Sequence, residues 1–300
     1  MTFRDELLQI LTEDQLLCQE PMSRHTTFRV GGPAAYYLRP NQEQLPGVTA
    51  LCRARGIPVQ ITGNGSNLLV SDQGFAGAVV EIGQQLSALR VEGTRMTVQA
   101  GASLARAAAA AYRASLKGLA FAAGIPGTVG GAVAMNAGAY GGEMKDVLES
   151  ALVLMPDGVL VSCPAQRLAL SYRSSMVQKN GGIVVEAVFS LKPGDQEEIG
   201  GRMEELRQKR LEKQPLEYPS AGSTFKRPEG YFAGKLIQDA GLQGVCVGDA
   251  QVSEKHCGFI INRGAATATE IWQLIQKVRD TVYDRFGVLL EPEVKLLGEF

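Results

Sequence analysis

Three short segments combine residue types that can carry chemistry: Ser171-Tyr-Arg-Ser-Ser175, Ala221-Gly-Ser-Thr-Phe-Lys-Arg-Pro228 and Leu290-Glu-Pro-Glu-Val294. Arg173 suits a substrate carboxylate, because its guanidinium offers two parallel charge-assisted hydrogen bonds. The hydroxyl of Ser223 can deliver a proton to a carbanion or enolate. Glu293 can orient the arginine or, if protonated, donate to the enolate. Together these groups suit hydride addition from a flavin or another donor to an activated double bond, followed by protonation.

Each of these residues also has an ordinary explanation. Arg173 can be an exposed turn residue, because most arginines lie on the surface. Ser223 follows a glycine and can be only a turn or cap serine, and Glu293 can lie on the wet face of an edge strand. The residues alone suggest the reaction and leave these alternatives open.

Two glycine-rich runs stand apart from these segments. One extends from Gly124 to Gly142 and the other is Gly63-Asn-Gly-Ser-Asn67. Glycine costs conformational entropy on folding, so such runs indicate that backbone N–H groups approach a ligand, for which the phosphates of a nucleotide are well suited. The spacing of Gly124, Gly127 and Gly130 differs from G-x-G-x-x-G, and no Gly-Lys-Ser/Thr follows. A Rossmann fold or a P-loop is therefore not indicated.

Composition narrows the class of protein. The 300 residues include 30 Lys and Arg against 31 Asp and Glu without a polybasic block, so we expect no nucleic-acid partner. The five scattered cysteines and the two histidines, His25 and His256, indicate neither disulfides nor a metal site. Because neither a signal peptide nor an apolar membrane-spanning segment is evident, we expect a soluble cytoplasmic protein.

Turn chemistry predicts two β-hairpins. The first, over residues 88–100, turns at Gly93-Thr94, and the second, over residues 147–163, turns at Pro156-Asp-Gly158. Both hairpins lie upstream of Lys192-Pro-Gly-Asp195, which breaks the strand pattern before a long charged helix. This break predicts a boundary between a cofactor-binding region and a later domain with its own core.

Capping residues predict two helices. Ser103 is suited to the N-cap of a helix over residues 104–117, with Gly118 as its left-handed C-terminal residue. Thr267-x-x-Glu270 is a capping box that opens a long helix ended by Gly287. Residues 288–297 are expected to form the last strand.

Eight motifs occur in the order typical of a known family. They are Thr26-Thr-Phe-Arg-Val-Gly-Gly32, Gly63-Asn-Gly-Ser-Asn-Leu-Leu69, Gly124-Ile-Pro-Gly-Thr-Val-Gly-Gly131, Asn136-Ala-Gly-Ala-Tyr-Gly141, Ser171-Tyr-Arg173, Ala221-Gly-Ser-Thr-Phe-Lys226, Ala250-Gln-Val-Ser-Glu-Lys-His256 and Leu290-Glu-Pro-Glu-Val-Lys295. On these motifs the chain resembles the bacterial UDP-N-acetylenolpyruvoylglucosamine reductases (MurB) over residues 23–297. The short segment between Arg173 and Ser223 resembles the second subgroup, which lacks the tyrosine-loop insertion.

The resemblance implies an α+β protein with the vanillyl-alcohol-oxidase-type (PCMH-type) FAD-binding fold. This fold has two α/β subdomains and a separate α+β substrate-binding domain. Residues 1–82 would form the first subdomain with an N-terminal helix, and residues 83–194 the second, joined by a C-terminal strand at 288–300. Residues 195–287 would form the substrate-binding domain.

The resemblance also implies the activity. Such an enzyme reduces UDP-N-acetylglucosamine enolpyruvate to UDP-N-acetylmuramate in peptidoglycan precursor synthesis, with non-covalent FAD and with NADPH as hydride donor. NADPH would reduce FAD and leave, and the nucleotide sugar would then take hydride from flavin N5. The expected partner is this small molecule, with no nucleic acid and no membrane, and the protein is expected to be a monomer or a weak oligomer.

Residue roles follow from the same motifs. The resemblance implies that Ser223 is the proton donor and that Arg173 and Glu293 stabilise the enolate. It places FAD against Gly63, Asn64, Gly65, Ser66, Asn67, Leu68, Gly124, Ile125, Pro126, Gly127, Thr128, Gly130, Asn136 and Gly138. It places the substrate against Arg173, Lys226, Arg227, Lys235 and Gln251. Arg227 stands where the family often has Asn and would add a contact to a UDP phosphate.

Two other functions fit part of the pattern. An oxidase or dehydrogenase of the same flavin fold would oxidise an alcohol or hydroxy acid, but that reaction calls for a base, whereas Arg173, Ser223 and Glu293 offer a proton donor and an anion clamp. A non-catalytic nucleotide-sugar-binding protein would use the glycine runs to hold UDP, and it would lack the visible absorption of bound flavin.

Overall fold

The computed structural model describes residues 1–300. Its helices are α1 (Phe3–Leu7), α2 (Leu45–Ala54), α3 (Leu104–Arg113), α4 (Val129–Ala134), α5 (Met176–Asn180), α6 (Gln196–Lys213), α7 (Ala233–Asp239) and α8 (Ala268–Phe286). Its strands are β1 (Leu16–Pro21), β2 (Pro33–Leu38), β3 (Val59–Thr62), β4 (Leu68–Val70), β5 (Phe75–Glu81), β6 (Leu89–Glu92), β7 (Arg95–Gln99), β8 (Leu116–Lys117), β9 (Gly138–Ala139), β10 (Gly142–Glu143), β11 (Leu148–Leu154), β12 (Leu160–Pro164), β13 (Ile183–Ser190), β14 (Lys192–Pro193), β15 (Cys246–Val247), β16 (Ala250–Val252), β17 (Ile260–Asn262) and β18 (Lys295–Leu297).

Two compact units make up the chain, and each is assembled from separate stretches of sequence. The first unit comprises residues 1–17, 36–64 and 78–209, and the second comprises residues 18–35, 65–77 and 210–300. Strands β1, β2 and β5 each begin in one unit and end in the other. No helix combines the length and apolar character needed to span a bilayer. No group of three or more His, Cys, Asp or Glu side chains is placed to hold a metal ion.

The first unit is built around a five-stranded antiparallel sheet in the order β12-β11-β13-β7-β6. Both predicted hairpins are present in it. The turn between β6 and β7 contains Gly93 at φ +58°, and the turn between β11 and β12 contains Gly158 at φ +90°, values that favour glycine. Helices α3 and α4 contribute small side chains to the buried core of this unit, among them Ala107, Ala111 and Ala132.

Helix α3 begins as predicted and ends earlier than predicted. Ser103 Oγ accepts a hydrogen bond of 3.2 Å from the N–H of Arg106, but the helix stops at Arg113 and not at residue 117. Ser115 adopts φ +54°, and β8 then pairs with β14. Gly118, at φ +133°, follows this strand and does not cap the helix. Pairing with a segment far along the chain therefore overrides the helical pattern.

The second unit has its own core. Its strands β15, β16 and β17 form an antiparallel sheet, and β4 pairs in parallel with β18. Helix α8 has the predicted capping box and the predicted C-terminal glycine, Gly287 at φ +67°. Its side chains Ile271, Ile275, Val278 and Val282 are fully buried, as their helical spacing requires.

The last strand is shorter than the predicted 288–297. Only Lys295–Leu297 is strand, whereas Pro292 forms an isolated bridge with Phe225. Proline has no N–H to donate to a ladder, so regular pairing cannot extend through this residue. The segment before β18 is therefore a loop held by individual contacts.

Asp72 caps helix α8 from a distant part of the sequence. Its carboxylate accepts hydrogen bonds from the N–H groups of Ala268 and Thr269, at 2.8 and 2.9 Å, and from the Thr269 hydroxyl at 2.6 Å. Partial burial raises the pKa of Asp72, but these hydrogen bonds outweigh it and lower the pKa overall. The ionised carboxylate thus satisfies N–H groups of the first helical turn.

We expect Asp72→Ala to lower the free energy of unfolding by about 1–2 kcal/mol, as the loss of a helix cap does. Because folding lowers the pKa of Asp72, its contribution is present above the ordinary carboxyl pKa of about 4 and is lost as the pH falls through the lower folded value. Urea unfolding at pH 7 and at pH 3 measures both effects. Asp280→Ala, an exposed position on the same helix, is the control. An equal loss in both variants would contradict the cap.

Candidate active site and cofactor-binding loops

The Ser223 hydroxyl is presented by a tightly held turn. The next residue, Thr224, is fully buried, its N–H donates to the Gly258 carbonyl at 2.8 Å, and its hydroxyl accepts from the Ile260 N–H at 3.0 Å. Ser223 itself is exposed, its hydroxyl has no protein partner, and Gly222 before it adopts φ +73°. The turn therefore fixes the backbone and leaves the hydroxyl available to a ligand.

The backbone of Glu293 is held on both sides within the second unit. Its N–H donates to the Thr224 carbonyl at 2.8 Å, and its carbonyl accepts from the Asn67 side-chain amide at 3.0 Å. The Asn67 carbonyl in turn accepts from the Lys295 N–H at 3.0 Å. The structure thus brings the segments of Ser223 and Glu293 together and joins them to the shorter glycine loop.

Arg173 lies in the first unit, in a turn closed by two hydrogen bonds. The N–H of Ser171 donates to the Ser174 carbonyl at 3.0 Å, and the N–H of Ser174 donates to the Ser171 carbonyl at 3.1 Å. Arg173 is half-buried and adopts φ +53°, a conformation that non-glycine residues rarely take. Such strained residues cluster at functional sites, where the surrounding structure maintains them.

Asn136 supports this turn. It is only 1% exposed and adopts φ +45°. Its side-chain amide donates to Glu143 Oε2 at 2.6 Å and to the Ser171 carbonyl at 3.3 Å, and its Oδ1 accepts from the Lys145 N–H at 2.9 Å. Asn136, which the sequence predicted to contact the cofactor, therefore connects its own loop to the turn of Arg173.

Close packing requires several glycines of the two runs. A Cβ on Gly63 would lie 2.3 Å from Thr128 Oγ1, and one on Gly130 would lie 2.7 Å from the Ala100 Cβ. A Cβ on Gly142 would lie 2.7 Å from the ring of Phe121. These distances are too short for any side chain, so the runs are rich in glycine partly because the protein packs against itself there.

The two glycine runs differ in whether their backbone N–H groups have protein acceptors. In the longer run, Ile125, Gly127, Val129 and Gly130 donate to protein carbonyls at 2.7–3.1 Å. In the loop 63–67, no backbone N–H donates to a protein acceptor. A row of unpaired N–H donors suits a phosphate-containing cofactor, so the residues of this loop fit FAD.

The predicted substrate residues Lys226 and Lys235 each pair with a carboxylate. Lys226 Nζ pairs with Glu291, and Lys235 Nζ lies 2.6 Å from Asp239 Oδ1 on helix α7. Each lysine therefore already has an ion-pair partner within the protein. Exposed ion pairs of this kind are weak, so either lysine can exchange its carboxylate for a substrate group.

Arg227 and Gln251 have different surroundings. The Arg227 guanidinium lies 4.0 Å from the centroid of the exposed Phe232 ring. Gln251 is 7% exposed, donates to the Gly244 carbonyl at 3.1 Å and accepts from Arg263 at 2.8 Å. The Gln251 side chain is therefore held by the Gly244 carbonyl and by Arg263, a residue that the sequence did not single out.

His256 is a second supporting residue without a sequence-assigned role. Its Nδ1 accepts from the N–H of Gly258 at 3.1 Å, and the Gly258 carbonyl receives the Thr224 N–H. Burial lowers the pKa of His256, which keeps the ring neutral and able to accept. The only sequence signal was its place at the end of the Ala250-Gln-Val-Ser-Glu-Lys-His256 motif.

Two family models match this chain. Residues 33–164 match a model described as FAD binding domain. Residues 214–297 match a model described as UDP-N-acetylenolpyruvoylglucosamine reductase, C-terminal domain. The first match contains both glycine runs, and the second contains Ser223 and Glu293.

Curated relatives match the whole chain. The UDP-N-acetylenolpyruvoylglucosamine reductase of Agathobacter rectalis is 55% identical over 311 aligned positions, which cover 100% of this chain and 99% of the relative. The enzyme of the same description from Clostridioides difficile is 48% identical over 294 positions, which cover 98% of this chain and 97% of the relative.

Solved structures agree with these relatives. The crystal structure of UDP-N-acetylenolpyruvylglucosamine reductase (MurB) from Thermus caldophilus matches with a TM-score of 0.81 at 37% identity, covering 94% of this chain and 98% of that one. Phl p 4.0202, a glucose dehydrogenase, matches with a TM-score of 0.51 at 19% identity over 65% of this chain and 44% of its own, which shows likeness of fold alone.

These matches confirm the predicted fold class, the vanillyl-alcohol-oxidase-type (PCMH-type) FAD-binding fold with a separate α+β domain. They also confirm the predicted cofactor, FAD. Identity of about half over the full length is sufficient to assign the family. This chain therefore belongs to the UDP-N-acetylenolpyruvoylglucosamine reductase family of FAD-dependent oxidoreductases.

Proposed function

We propose that this chain reduces UDP-N-acetylglucosamine enolpyruvate to UDP-N-acetylmuramate, in peptidoglycan precursor synthesis, with NADPH as the hydride source. The observation that carries the proposal is the pair of hydrogen bonds on the backbone of Glu293, from Asn67 and to Thr224. These bonds join a carboxylate, a neighbouring exposed serine hydroxyl and a loop of unpaired N–H donors. That combination suits hydride addition followed by proton delivery.

In this proposal the reaction is divided among FAD and three residues. FAD, when bound, supplies the hydride that reaches the enolpyruvyl double bond. Ser223 donates the proton from its hydroxyl, and its lack of a protein partner supports this role. Arg173 binds the substrate carboxylate and stabilises the negative charge of the enolate. Glu293 stabilises the same intermediate, from a backbone whose position is fixed by its two hydrogen bonds.

Binding roles are proposed for the remaining predicted residues. Residues 63–68, 124–128 and 130, with Asn136 and Gly138, would hold FAD. The nucleotide sugar lies against Arg227 and against Lys226, Lys235 and Gln251. Arg227 carries a guanidinium, which suits a phosphate through charge-assisted hydrogen bonds, and the exposed Phe232 ring lies 4.0 Å from it.

The proposal also assigns the cofactor and the substrate to different parts of the chain. Residues 1–82 and 83–194, with the C-terminal strand, would serve the cofactor, and residues 195–287 would serve the substrate. The protein would act in the cytoplasm as a monomer or weak oligomer, and the absence of the tyrosine-loop insertion would place it in the second subgroup.

Rapid mixing that follows flavin absorbance tests the proposed function directly. NADPH is added first, and UDP-N-acetylglucosamine enolpyruvate second. We expect NADPH to bleach the flavin and the nucleotide sugar to restore its colour. A hydroxy acid or alcohol that bleached the oxidised flavin, with no response to the enolpyruvyl sugar, would favour the oxidase alternative.

Ser223→Ala separates the two half-reactions. We expect NADPH to bleach the flavin at the wild-type rate, while reoxidation by the enolpyruvyl substrate slows by roughly 10²- to 10⁴-fold, as when a general acid is lost. Ser223→Thr retains a hydroxyl and is expected to recover part of this rate. Slower bleaching with unchanged reoxidation would show that Ser223 is not the proton donor.

Arg173→Lys tests the anion clamp. A lysine keeps the positive charge and loses the bidentate geometry, so we expect turnover to fall more than ground-state affinity for the substrate. The control is Arg167→Lys, at an exposed position in the preceding segment, which should change neither quantity. Weaker substrate binding with unchanged turnover would contradict the role of Arg173 in the transition state.

A further inference from the structure

Two adjacent threonines in the Thr26-Thr-Phe-Arg-Val-Gly-Gly32 motif differ in whether their hydroxyl groups have a hydrogen-bond partner. The Thr26 hydroxyl donates to the Val30 carbonyl at 2.9 Å. The Thr27 hydroxyl oxygen is buried and has no hydrogen-bond partner in the protein. A buried hydroxyl without a partner costs free energy, and such groups in native proteins call for a ligand, a water molecule or a functional reason.

Thr27 lies beside the shorter glycine loop. Its N–H donates to the Gly65 carbonyl at 3.3 Å. Gly65 is buried and adopts φ +59°, and a Cβ there would lie 1.9 Å from the His25 carbonyl oxygen. The segment of residues 25–27 is thus packed directly against the loop, and the residue that carries the unpaired hydroxyl donates its N–H to it.

The glycine loop beside Thr27 offers several N–H donors. The N–H groups of Gly65, Ser66 and Asn67 have no protein acceptor, and the Asn67 side chain donates to Glu293. Glu20, a carboxylate on the same stretch of chain, lies 3.0 Å from the His25 ring. A hydroxyl without a partner and three N–H donors without a protein acceptor suit a ligand group rich in acceptor oxygens.

We propose that the Thr27 hydroxyl, with the N–H groups of residues 65–67, binds the diphosphate of FAD. The matched FAD-binding region begins at residue 33 and the other matched region at residue 214, so neither assigns a function to Thr27. The proposal extends the cofactor-binding surface to the segment before the FAD-binding region. It depends on FAD binding and not on the identity of the sugar substrate.

Thr27→Val tests this role, because valine has nearly the shape of threonine without its hydroxyl. Diluting the holoenzyme and measuring released FAD by its fluorescence gives the dissociation constant. We expect a rise of about 10- to 100-fold, the loss of one hydrogen bond to a charged group. Thr27→Ser should retain wild-type affinity. The FAD-free variant should unfold in urea at the same or a higher midpoint than the FAD-free wild-type chain, because an unsatisfied hydroxyl has been removed.

Thr26→Val is the matched control, since it removes a hydroxyl that has a partner. It is expected to lower the urea midpoint and to leave the affinity for FAD unchanged. If Thr27→Val does not fold, the ³¹P resonances of bound FAD are compared between wild type and Thr27→Ser, and a shift of the diphosphate signals is expected. Unchanged signals would then overturn the proposal.

The diphosphate of a uridine nucleotide is the other source of the same chemistry, so UDP is titrated into each holoenzyme variant. An unchanged affinity for UDP in Thr27→Val, with weakened FAD, supports the proposal. Weakened UDP with unchanged FAD would assign the hydroxyl to the substrate and overturn it. Unchanged affinity for both would mean that a water molecule satisfies Thr27, which also overturns it.

Discussion

The hydrogen bonds on the backbone of Glu293 are the constraint on which the second unit's part of the site depends. The Asn67 amide holds the Glu293 carbonyl, and the Thr224 carbonyl holds its N–H. Thr224 is itself fixed by Gly258 and Ile260. The loss of one partner would leave a backbone group unsatisfied, which costs more than the hydrogen bond contributes when made. A carboxylate, an exposed hydroxyl and a cofactor loop are therefore positioned by a single network.

The second constraint is the close packing of neighbouring segments against the glycines. Gly63 leaves no room for a Cβ beside the Thr128 side chain, and Gly65 leaves none beside the His25 carbonyl. Any side chain at these positions would have to push the two segments apart. The loop from 63 to 67 is thus shaped by its neighbours before any ligand binds, and this preorganisation lowers the entropic cost of binding.

Local chemistry explains what the sequence predicted, and tertiary pairing explains what it did not. The hairpins at Gly93 and Gly158 and the capping box at Thr267 depend on residues a few positions apart, so their signals survive in the sequence. The end of α3 depends on pairing between β8 and β14, and the length of the last strand depends on Pro292 meeting Phe225. Such partners lie too far apart in the chain for a local pattern to reveal.

The same distinction applies to the site. The order of the motifs was sufficient to predict Arg173, Ser223 and Glu293 as candidates, since each lies in a segment of unusual composition. Residues such as His256, which supports the turn of Ser223 through Gly258, and Arg263, which contacts Gln251, make ordinary hydrogen bonds to groups that come close only in the folded chain. No residue type or spacing distinguishes such partners beforehand.

The two glycine runs are alike in composition but differ in how their backbone groups are used. Most N–H groups from Ile125 to Gly130 are used by protein carbonyls, and Gly130 and Gly142 are required because neighbouring atoms occupy the space of a Cβ. The loop 63–67 keeps its N–H groups unpaired. Because phosphate binding needs donors that the protein has not already used, we infer that the shorter run carries most of the charge recognition. The longer run is instead occupied with packing and hydrogen bonding inside the protein.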